Sequence, residues 1–411
     1  MSLSIPARPL SPQRTDHIAL ARRAVLGQGQ LPAGVAVEPW IVRSWQRCLA
    51  QGQRPDQPVA FDAVTAADVR HAGEQHHHLL QAARPVLAQL TRAIAGMHYF
   101  AMLTDARGVV VDVQGALNRH DPRVRAIGRV GIDLSERAVG TTAIGAALTE
   151  LQPVWLHQGE HFFADNGHYS CAGAPLFGPQ GQCVGMLDLT GVDVPERPEL
   201  RHLVARSARA MEDALLLHTP HALLLRLNWP GCALGGEGDG LVALDAHGAV
   251  LGCNSMARQL LPLPLSAPGT PLHCSDLMAL PWTQLFDAAR HRGACAPVDL
   301  PLWSGLRLQA LALRPDDART VHPAATVAGM VAAGEAPSPL APSSISTFSA
   351  TPVTRAPAPL RAAETALIHQ AVLDARGNVA EAARALGISR ATVYRKLGAP
   401  RKGKDRGTAA G

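Results

Sequence analysis

The chain has 411 residues, a net charge of +5 and 47% hydrophobic residues, so its length predicts two to four domains and its composition excludes wholesale disorder. No apolar run reaches the roughly 18 residues of a membrane span, and the opening residues (MSLSIPARPLSPQR) lack the apolar segment of a signal peptide. Seven cysteines without a CxxC pair argue against a disulfide framework or a zinc ribbon, and a cytoplasmic protein is the simplest interpretation.

The positive charge is concentrated at the C-terminal end. Residues 361–411 carry ten Lys or Arg and four Asp or Glu, so this segment has a net charge of +6 and the rest of the chain −1. All three lysines, Lys396, Lys402 and Lys404, lie there. A near-neutral body with a basic end indicates a contact with a polyanion, although charge alone fits a solvated tail equally well.

The N-terminal region, residues 1–90, is predicted to be helical in its second part. Residues 1–35 are expected to form a loose lead-in, whereas apolar residues with a spacing near 3.6 predict helices over 36–90. Three adjacent histidines at 76–78 point three ways around a helix, so we do not expect them to bind one metal.

Residues 91–220 mix strand and helix patterns. Strands are predicted at 97–104, 109–113, 153–156, 170–177 and 183–190, and helices at 140–150 and 199–217. Short hairpins bracketed by helices predict an α+β domain built on an antiparallel sheet. Residues 235–314 repeat this organisation on a smaller scale and predict a second, sensor-type α+β domain.

Residues 315–359 have the composition of a flexible linker. Pro, Ala, Ser and Thr occupy 29 of the 45 positions, and no periodicity is sustained.

Residues 360–400 are predicted to form an all-α module, followed by a basic tail at 401–411. Gly377 ends a first helix, Asn378 begins a short second helix, and after Gly387 a third helix begins at Ser389. Two helices joined by a three-residue turn with glycine are typical of a helix-turn-helix, whose second helix enters the major groove of DNA. An ordinary pair of helices with a basic face is the alternative.

The third helix carries the residues expected to contact DNA. Arg390, Thr392, Arg395 and Lys396 face outward, and these side chains suit base edges and phosphates. The segment GNVAEAARALGISRATVYRKL resembles the Fis-type helix-turn-helix of bacterial enhancer-binding activators. The resemblance implies that Ser389 and the four residues above face DNA, and that the module is a dimer to which the helix at about 361–375 contributes.

Three N-terminal segments carry a second resemblance. IVRSWQRCLAQG, VGTTAIGAALTELQPVWLHQGEHFF and CAGAPLFGPQGQCVGMLDLTG resemble the acetoin-catabolism-regulator type of sigma-54-dependent activator. The resemblance covers roughly residues 38–312 and 360–398. It implies a GAF-like sensor at 91–220 and a PAS-like domain at 235–314.

The sequence departs from that family at its centre. The family has an ATPase module with a GxxxxGK[ST] loop, and this sequence contains no such loop. We therefore predict no ATP hydrolysis. Repression, competition with activators for enhancer sites, and activation through another polymerase form stay open, as does any contact with RNA polymerase.

Residues 139–175 are predicted to cover a pocket for a small-molecule effector on the sensor sheet. The candidate ligand residues are Gly140, Thr141, Thr142, Phe162, Phe163 and Cys171. His157, His161, His168 and Cys171 have spacings that would suit zinc, but the predicted elements do not bring them together. Cys171 lacks the acid and oxyanion groups that would accompany a nucleophile.

These observations favour a cytoplasmic, ligand-responsive, sequence-specific regulator of transcription that binds double-stranded DNA as a homodimer. We expect no enzymatic activity, cofactor, metal or membrane contact. The competing hypothesis is a cytoplasmic enzyme or metal-binding GAF-fold protein with a basic tail.

Overall fold

The computed structural model describes residues 12–28, 35, 37–61, 63–261, 272–290, 297–315 and 371. Its helices are α1 Pro12–Gln28, α2 Pro39–Ala50, α3 Ala66–Gln75, α4 His77–Ala93, α5 Pro122–Ile127, α6 Glu136–Val139, α7 Ala143–Glu150, α8 Leu200–His218, α9 Ser255–Leu260 and α10 Thr283–Arg290. Its strands are β1 Tyr99–Asp105, β2 Val110–Gly115, β3 Val154–His157, β4 Tyr169–Phe177, β5 Cys183–Val192, β6 Leu223–Asn228, β7 Gly240–Leu244, β8 Val250–Cys253, β9 Val298–Pro301 and β10 Arg307–Leu313.

The first sheet is antiparallel, with the strand order β2-β1-β5-β4-β3. Successive residues of a strand face opposite sides of a sheet. Ala101, Ala172 and Leu189 accordingly pack in one core with α4 and α8, whereas Met102 and Cys171 belong to a second core that includes α1 and α2. The sheet is therefore buried on both faces.

The first helix corrects the expectation of a loose lead-in over residues 1–35. Pro12–Gln28 is helical, and Ala21 and Val25 are fully buried in the core beside α2. Small apolar residues and tertiary contacts stabilise this helix, so its amphipathic pattern is too weak to be seen in the sequence.

The second sheet is also antiparallel, with the order β8-β7-β6-β10-β9. Its central strand β6 begins at Leu223, ahead of the expected start of the second domain at residue 235. We did not predict β6 or the edge strand β9. In the sequence LLLRLN of β6, residues 223–227 are all buried, Arg226 among them, so the strand lacks the alternation of a half-exposed one.

Two antiparallel sheets with helices confirm the predicted α+β class. Within the described ranges, no helix is both long enough and apolar enough for a bilayer span. These ranges belong, apart from one residue, to the first of two compact units, Met1–Glu335. In the second unit, Ala336–Gly411, Ala371 is described and is helical.

The predicted linker, helix-turn-helix and basic tail lie outside the described residues, except for Pro315 and Ala371.

Candidate ligand cavity

A small cavity of about 30 Å³ lies between the first sheet and the segment that covers it. Its apolar lining includes Phe61, Met102, Ile127, Leu134, Val139 and Ile144. Its polar lining includes Thr142, His161, Asn166, Cys171, Asp188 and Thr190. An apolar cavity with a few convergent polar groups has the usual character of a small-molecule site.

Asp188 and Thr190 reach the cavity from the central strand β5. Asp188 is paired with Met102 on one side and with Gly173 on the other. The Thr190 hydroxyl donates a 2.5 Å hydrogen bond to Oδ2 of Asp188. Burial raises the pKa of Asp188 to about 7, against the smaller lowering effect of the hydrogen bond from Thr190.

Cys171 and His161 face each other across the cavity wall. The Cys171 sulfur lies 3.8 Å from Nε2 of His161 and 3.2 Å from the hydroxyl oxygen of Thr190. Burial raises the pKa of the thiol well above its ordinary value and lowers the pKa of the imidazole to about 4. A neutral thiol beside a weakly basic imidazole is poorly suited to nucleophilic catalysis.

The histidines of the zinc-like spacing have separate partners. His157 Nδ1 bonds to the hydroxyl of Ser170, and His168 Nδ1 lies 2.9 Å from a carboxylate oxygen of Asp193. Within the part of the chain that the structure describes, no three His, Cys, Asp or Glu side chains are grouped to hold a metal ion.

The six predicted ligand residues divide into two sets. Thr142 and Cys171 line the cavity. Gly140 adopts φ +68°, and a Cβ there would lie 2.8 Å from the ring of Phe163. The hydroxyl oxygen of Thr141 lies 2.7 Å from that of Ser44, and this hydrogen bond connects the covering segment to α2.

Phe162 and Phe163 are buried, and their rings meet edge to face at 5.1 Å. They pack in the same core that encloses the cavity. That these six residues bind ligand stays a prediction, for the two that line the cavity as for the four that do not.

Asp188, Thr190, His161 and Asn166 were not among the predicted ligand residues. A sequence signal for the first two does exist. In the strand CVGMLDLT, Asp188 and Thr190 interrupt an otherwise apolar run with a spacing of two, which places both on one face of the sheet.

The N-terminal helices hold the covering loop in place. Arg22 of α1 donates hydrogen bonds to the carbonyl oxygens of Gly159, at 3.0 Å, and Phe162, at 2.9 Å, and also contacts that of His161. Arg47 of α2 donates hydrogen bonds of 2.7 and 2.8 Å to the carboxylate oxygens of Glu136. This set of contacts makes α1 and α2 part of the cavity's frame.

The two sheets are joined by the hairpin turn between β4 and β5. The carbonyl oxygen of Pro179 in that turn accepts bonds of 2.8 Å from the backbone N–H of Cys253 and 2.6 Å from Arg258. Asp213 of α8 accepts a 2.8 Å bond from Asn254, the residue that caps α9. The strand that carries Asp188 is thus continuous with a turn that contacts the second sheet.

The predicted DNA-contacting residues Ser389, Arg390, Thr392, Arg395 and Lys396 lie outside the described residues.

Comparison with known families covers both ends of the chain. Residues 359–399 match the Fis family of bacterial regulatory proteins. Residues 14–213 match the N-terminal domain of MimR. The chain therefore joins a MimR N-terminal domain to a Fis-family helix-turn-helix and is homologous to the regulators of acetoin catabolism, as the sequence predicted.

Two curated relatives illustrate the similarity. The acetoin catabolism regulatory protein of Cupriavidus necator is 31% identical over 262 residues, which are 62% of this chain and 38% of that protein. The propane 2-monooxygenase operon transcriptional activator MimR of Mycolicibacterium goodii is 30% identical over 201 residues, or 47% of this chain and 32% of that protein. The chain thus matches well under half the length of each relative.

Among solved structures, a chain of the E. coli DhaR(N)–DhaL complex matches with a TM-score of 0.39 and 17% identity, covering 67% of this chain and 99% of that one.

Proposed function

We propose that this protein is a ligand-responsive, sequence-specific DNA-binding regulator of transcription. The observation that carries the proposal is the pairing, in one chain, of a MimR N-terminal domain at 14–213 with a Fis-family module at 359–399. Two relatives that match 262 and 201 residues of this chain are named as a regulatory protein and a transcriptional activator.

The first sheet is the sensor in this proposal. It corresponds to the GAF-like domain predicted at 91–220, and its cavity receives the small-molecule effector. The second sheet corresponds to the predicted PAS-like domain at 235–314. The neutral Cys171 thiol and the separate partners of the histidines support sensing rather than catalysis or metal binding.

The output is DNA binding by a homodimer through Ser389, Arg390, Thr392, Arg395 and Lys396. A 45-residue linker rich in Pro and Ala transmits little torque. Effector-dependent dimerisation suits such a linker better, because pairing raises the effective concentration of the two modules at a palindromic site.

We further propose that these 411 residues act without hydrolysing ATP, since the sequence contains no GxxxxGK[ST] loop. Within a bacterial cytoplasm, the chain would then repress, compete for enhancer sites or contact a polymerase that needs no remodelling. Fusing the chain's target site to a reporter gene separates activation from the two inhibitory outputs by the sign of the response.

The test is capture of genomic DNA fragments by the purified protein, followed by binding titrations on the enriched sites. We expect discrete palindromic sites, and removal of residues 360–411 should abolish their capture. Arg390→Ala should weaken specific binding by about 1–3 kcal/mol, or roughly 5- to 150-fold.

Lys404→Ala is the matched control, because it removes one positive charge from the basic tail outside the predicted recognition helix. It should reduce specific and random-sequence binding alike and by less than Arg390→Ala reduces the specific binding. Uniform weak binding by the intact chain, or equal effects of the two variants on every sequence, would contradict the proposal.

A further inference from the structure

Asp188 presents a buried acceptor to the cavity. Its side chain is 1% exposed, and its Oδ2 accepts the hydrogen bond from Thr190. Among the residues that the structure describes, Oδ1 has no hydrogen-bond partner. A buried acceptor without a donor is costly, and a ligand that donates a hydrogen bond removes that cost.

The surroundings of Asp188 supply no counter-charge. No lysine or arginine is among the described side chains that line the cavity. Thr190 is the one neighbour whose hydrogen bond favours the ionised form, whereas burial opposes ionisation. A donor brought by a ligand would therefore meet no competing donor at Oδ1.

His161 adds a second acceptor on the same wall. Its Nδ1 lies 2.9 Å from the carbonyl oxygen of Gln158, and because a carbonyl only accepts, Nδ1 carries the hydrogen. Nε2 of the neutral ring is then an acceptor, turned toward Cys171. The Thr190 hydroxyl donates to Asp188 and the Asn166 amide donates to the carbonyl oxygen of Val139, so neither of these donors is directed at Nε2.

We propose that the cavity binds a small molecule through a hydroxyl or protonated amino group that donates to Oδ1 of Asp188. This inference rests on the proposed sensing function and specifies the chemistry of its effector. The apolar part of the ligand packs on Met102, Leu134 and Ile144. A cavity of about 30 Å³ restricts the ligand to a few non-hydrogen atoms.

Ketones and carboxylates are disfavoured by the same geometry. Each presents acceptor oxygens, which would face an oxygen of the ionised Asp188 carboxylate and the His161 nitrogen without a hydrogen between them. The cavity therefore selects ligands by their donor group.

The test compares three probes that share one skeleton of four non-hydrogen atoms: 2-propanol, 2-propylammonium and acetone. Each is titrated into the full chain without DNA at pH 8.5, where Asp188, with a pKa of about 7, is ionised, and binding is measured by saturation-transfer NMR. So small a ligand binds at best with a Kd on the order of 0.1 mM. We expect 2-propanol, 2-propylammonium or both to bind at least tenfold more tightly than acetone.

Asp188→Asn tests the role of the carboxylate directly. The Thr190 hydroxyl still finds an oxygen on the amide, which turns the amide N–H groups toward the cavity. Acetone should then gain affinity and the two donor probes should lose at least tenfold. Asp193→Asn, at a half-exposed carboxylate just beyond β5, is the matched control and should preserve the wild-type ranking.

Each outcome decides the proposal. Preference for 2-propanol supports a neutral effector, and preference for the ammonium supports a cationic one. Equal binding of acetone by the wild type, no binding of any probe, or an unchanged ranking in a folded Asp188→Asn protein would overturn it. The wild-type ranking remains decisive even where this variant does not fold.

DNA is absent from this experiment, so its failure is distinct from failure of the proposed regulator function. Selective binding by a chain that captures no DNA would leave the cavity chemistry standing. Specific DNA capture by a chain without donor selectivity would support the regulator function and overturn the proposed cavity chemistry.

Discussion

The indole nitrogen of Trp45 donates a 2.9 Å hydrogen bond to the backbone carbonyl of Glu160. Trp45 is fully buried in α2, and Glu160 precedes the cavity-lining His161. A residue of the N-terminal helices thus fixes the backbone of the cavity wall. These helices are part of the structure of the site rather than an appendage to the sheet.

Replacing Trp45 with Phe removes this donor while keeping most of the ring. The buried carbonyl of Glu160 loses its bond to α2, so we expect a loss of about 1–2 kcal/mol in the free energy of unfolding, measured by urea denaturation followed by circular dichroism. Trp303→Phe is the control, because its indole also bonds to a carbonyl, that of Ser275, but the residue is 68% exposed. Comparable losses in the two variants would contradict the role given to burial.

Arg47→Ala should be more damaging than the same change at its neighbour Arg43. Arg47 donates two hydrogen bonds to the buried carboxylate of Glu136. Removing Arg47 leaves this buried negative charge without its positively charged partner. We expect a loss of about 2 kcal/mol for Arg47→Ala. Arg43 contacts Glu150 from a half-exposed position, and its loss should cost at most about 1 kcal/mol. Thermal melts measure the two losses, and an Arg43→Ala melting temperature as low as that of Arg47→Ala, or lower, would contradict this reasoning.

Gly140→Ala should destabilise the first domain. Gly140 has φ +68° and ψ −159°, a conformation that is essentially limited to glycine, and the added methyl group would contact the Phe163 ring. We expect a loss of about 2–4 kcal/mol. Gly236→Ala is the control, since its φ is not positive and nothing lies within 4 Å of the added carbon. The two melting temperatures should therefore differ by several degrees, and equal values would refute the strain argument.

Asp213→Asn should change how stability depends on pH. Burial raises the pKa of Asp213 to about 7. Between its unfolded pKa near 3.8 and about 7, the folded state holds a proton that the unfolded state has lost, so this group's contribution to stability falls as pH rises through that window. Asparagine does not titrate and can still accept the bond from Asn254.

The variant should therefore gain stability relative to the wild type as pH rises from 5 to 8. Urea titrations at several pH values measure this difference. A difference that is constant across the range would show that folding does not raise the pKa of Asp213 above its unfolded value.

Local patterns predicted much of the first domain. The 3.6-residue spacing identified α2, α4 and α8, and the strand patterns at 170–177 and 183–190 identified the β4–β5 hairpin. Helix α1 was missed because its place depends on Arg22, whose partners are carbonyl groups far along the chain. Strand β6 was missed because a strand at the centre of a sheet lacks the alternation of an exposed one.

In the cavity, too, some residues were predicted from local patterns and others depend on long-range contacts. Thr142 and Cys171 were predicted from the covering segment, whereas Asp188 was not, although its spacing of two from Thr190 places both residues on one face of β5. Its significance depends on the pairing with Gly173 and on burial by elements more than forty residues away, such as Leu134. Such long-range relations are properties of the fold rather than of any local window.

Val204 and Met211 of α8 pack in the core beside the first sheet. Asp213 of the same helix accepts a hydrogen bond from Asn254, which caps α9. A boundary drawn after His218 would leave that carboxyl group without its partner. A fragment for expression or for exchange between regulators should therefore keep both sheets together, and a chimaera joined just after α8 would expose this polar contact.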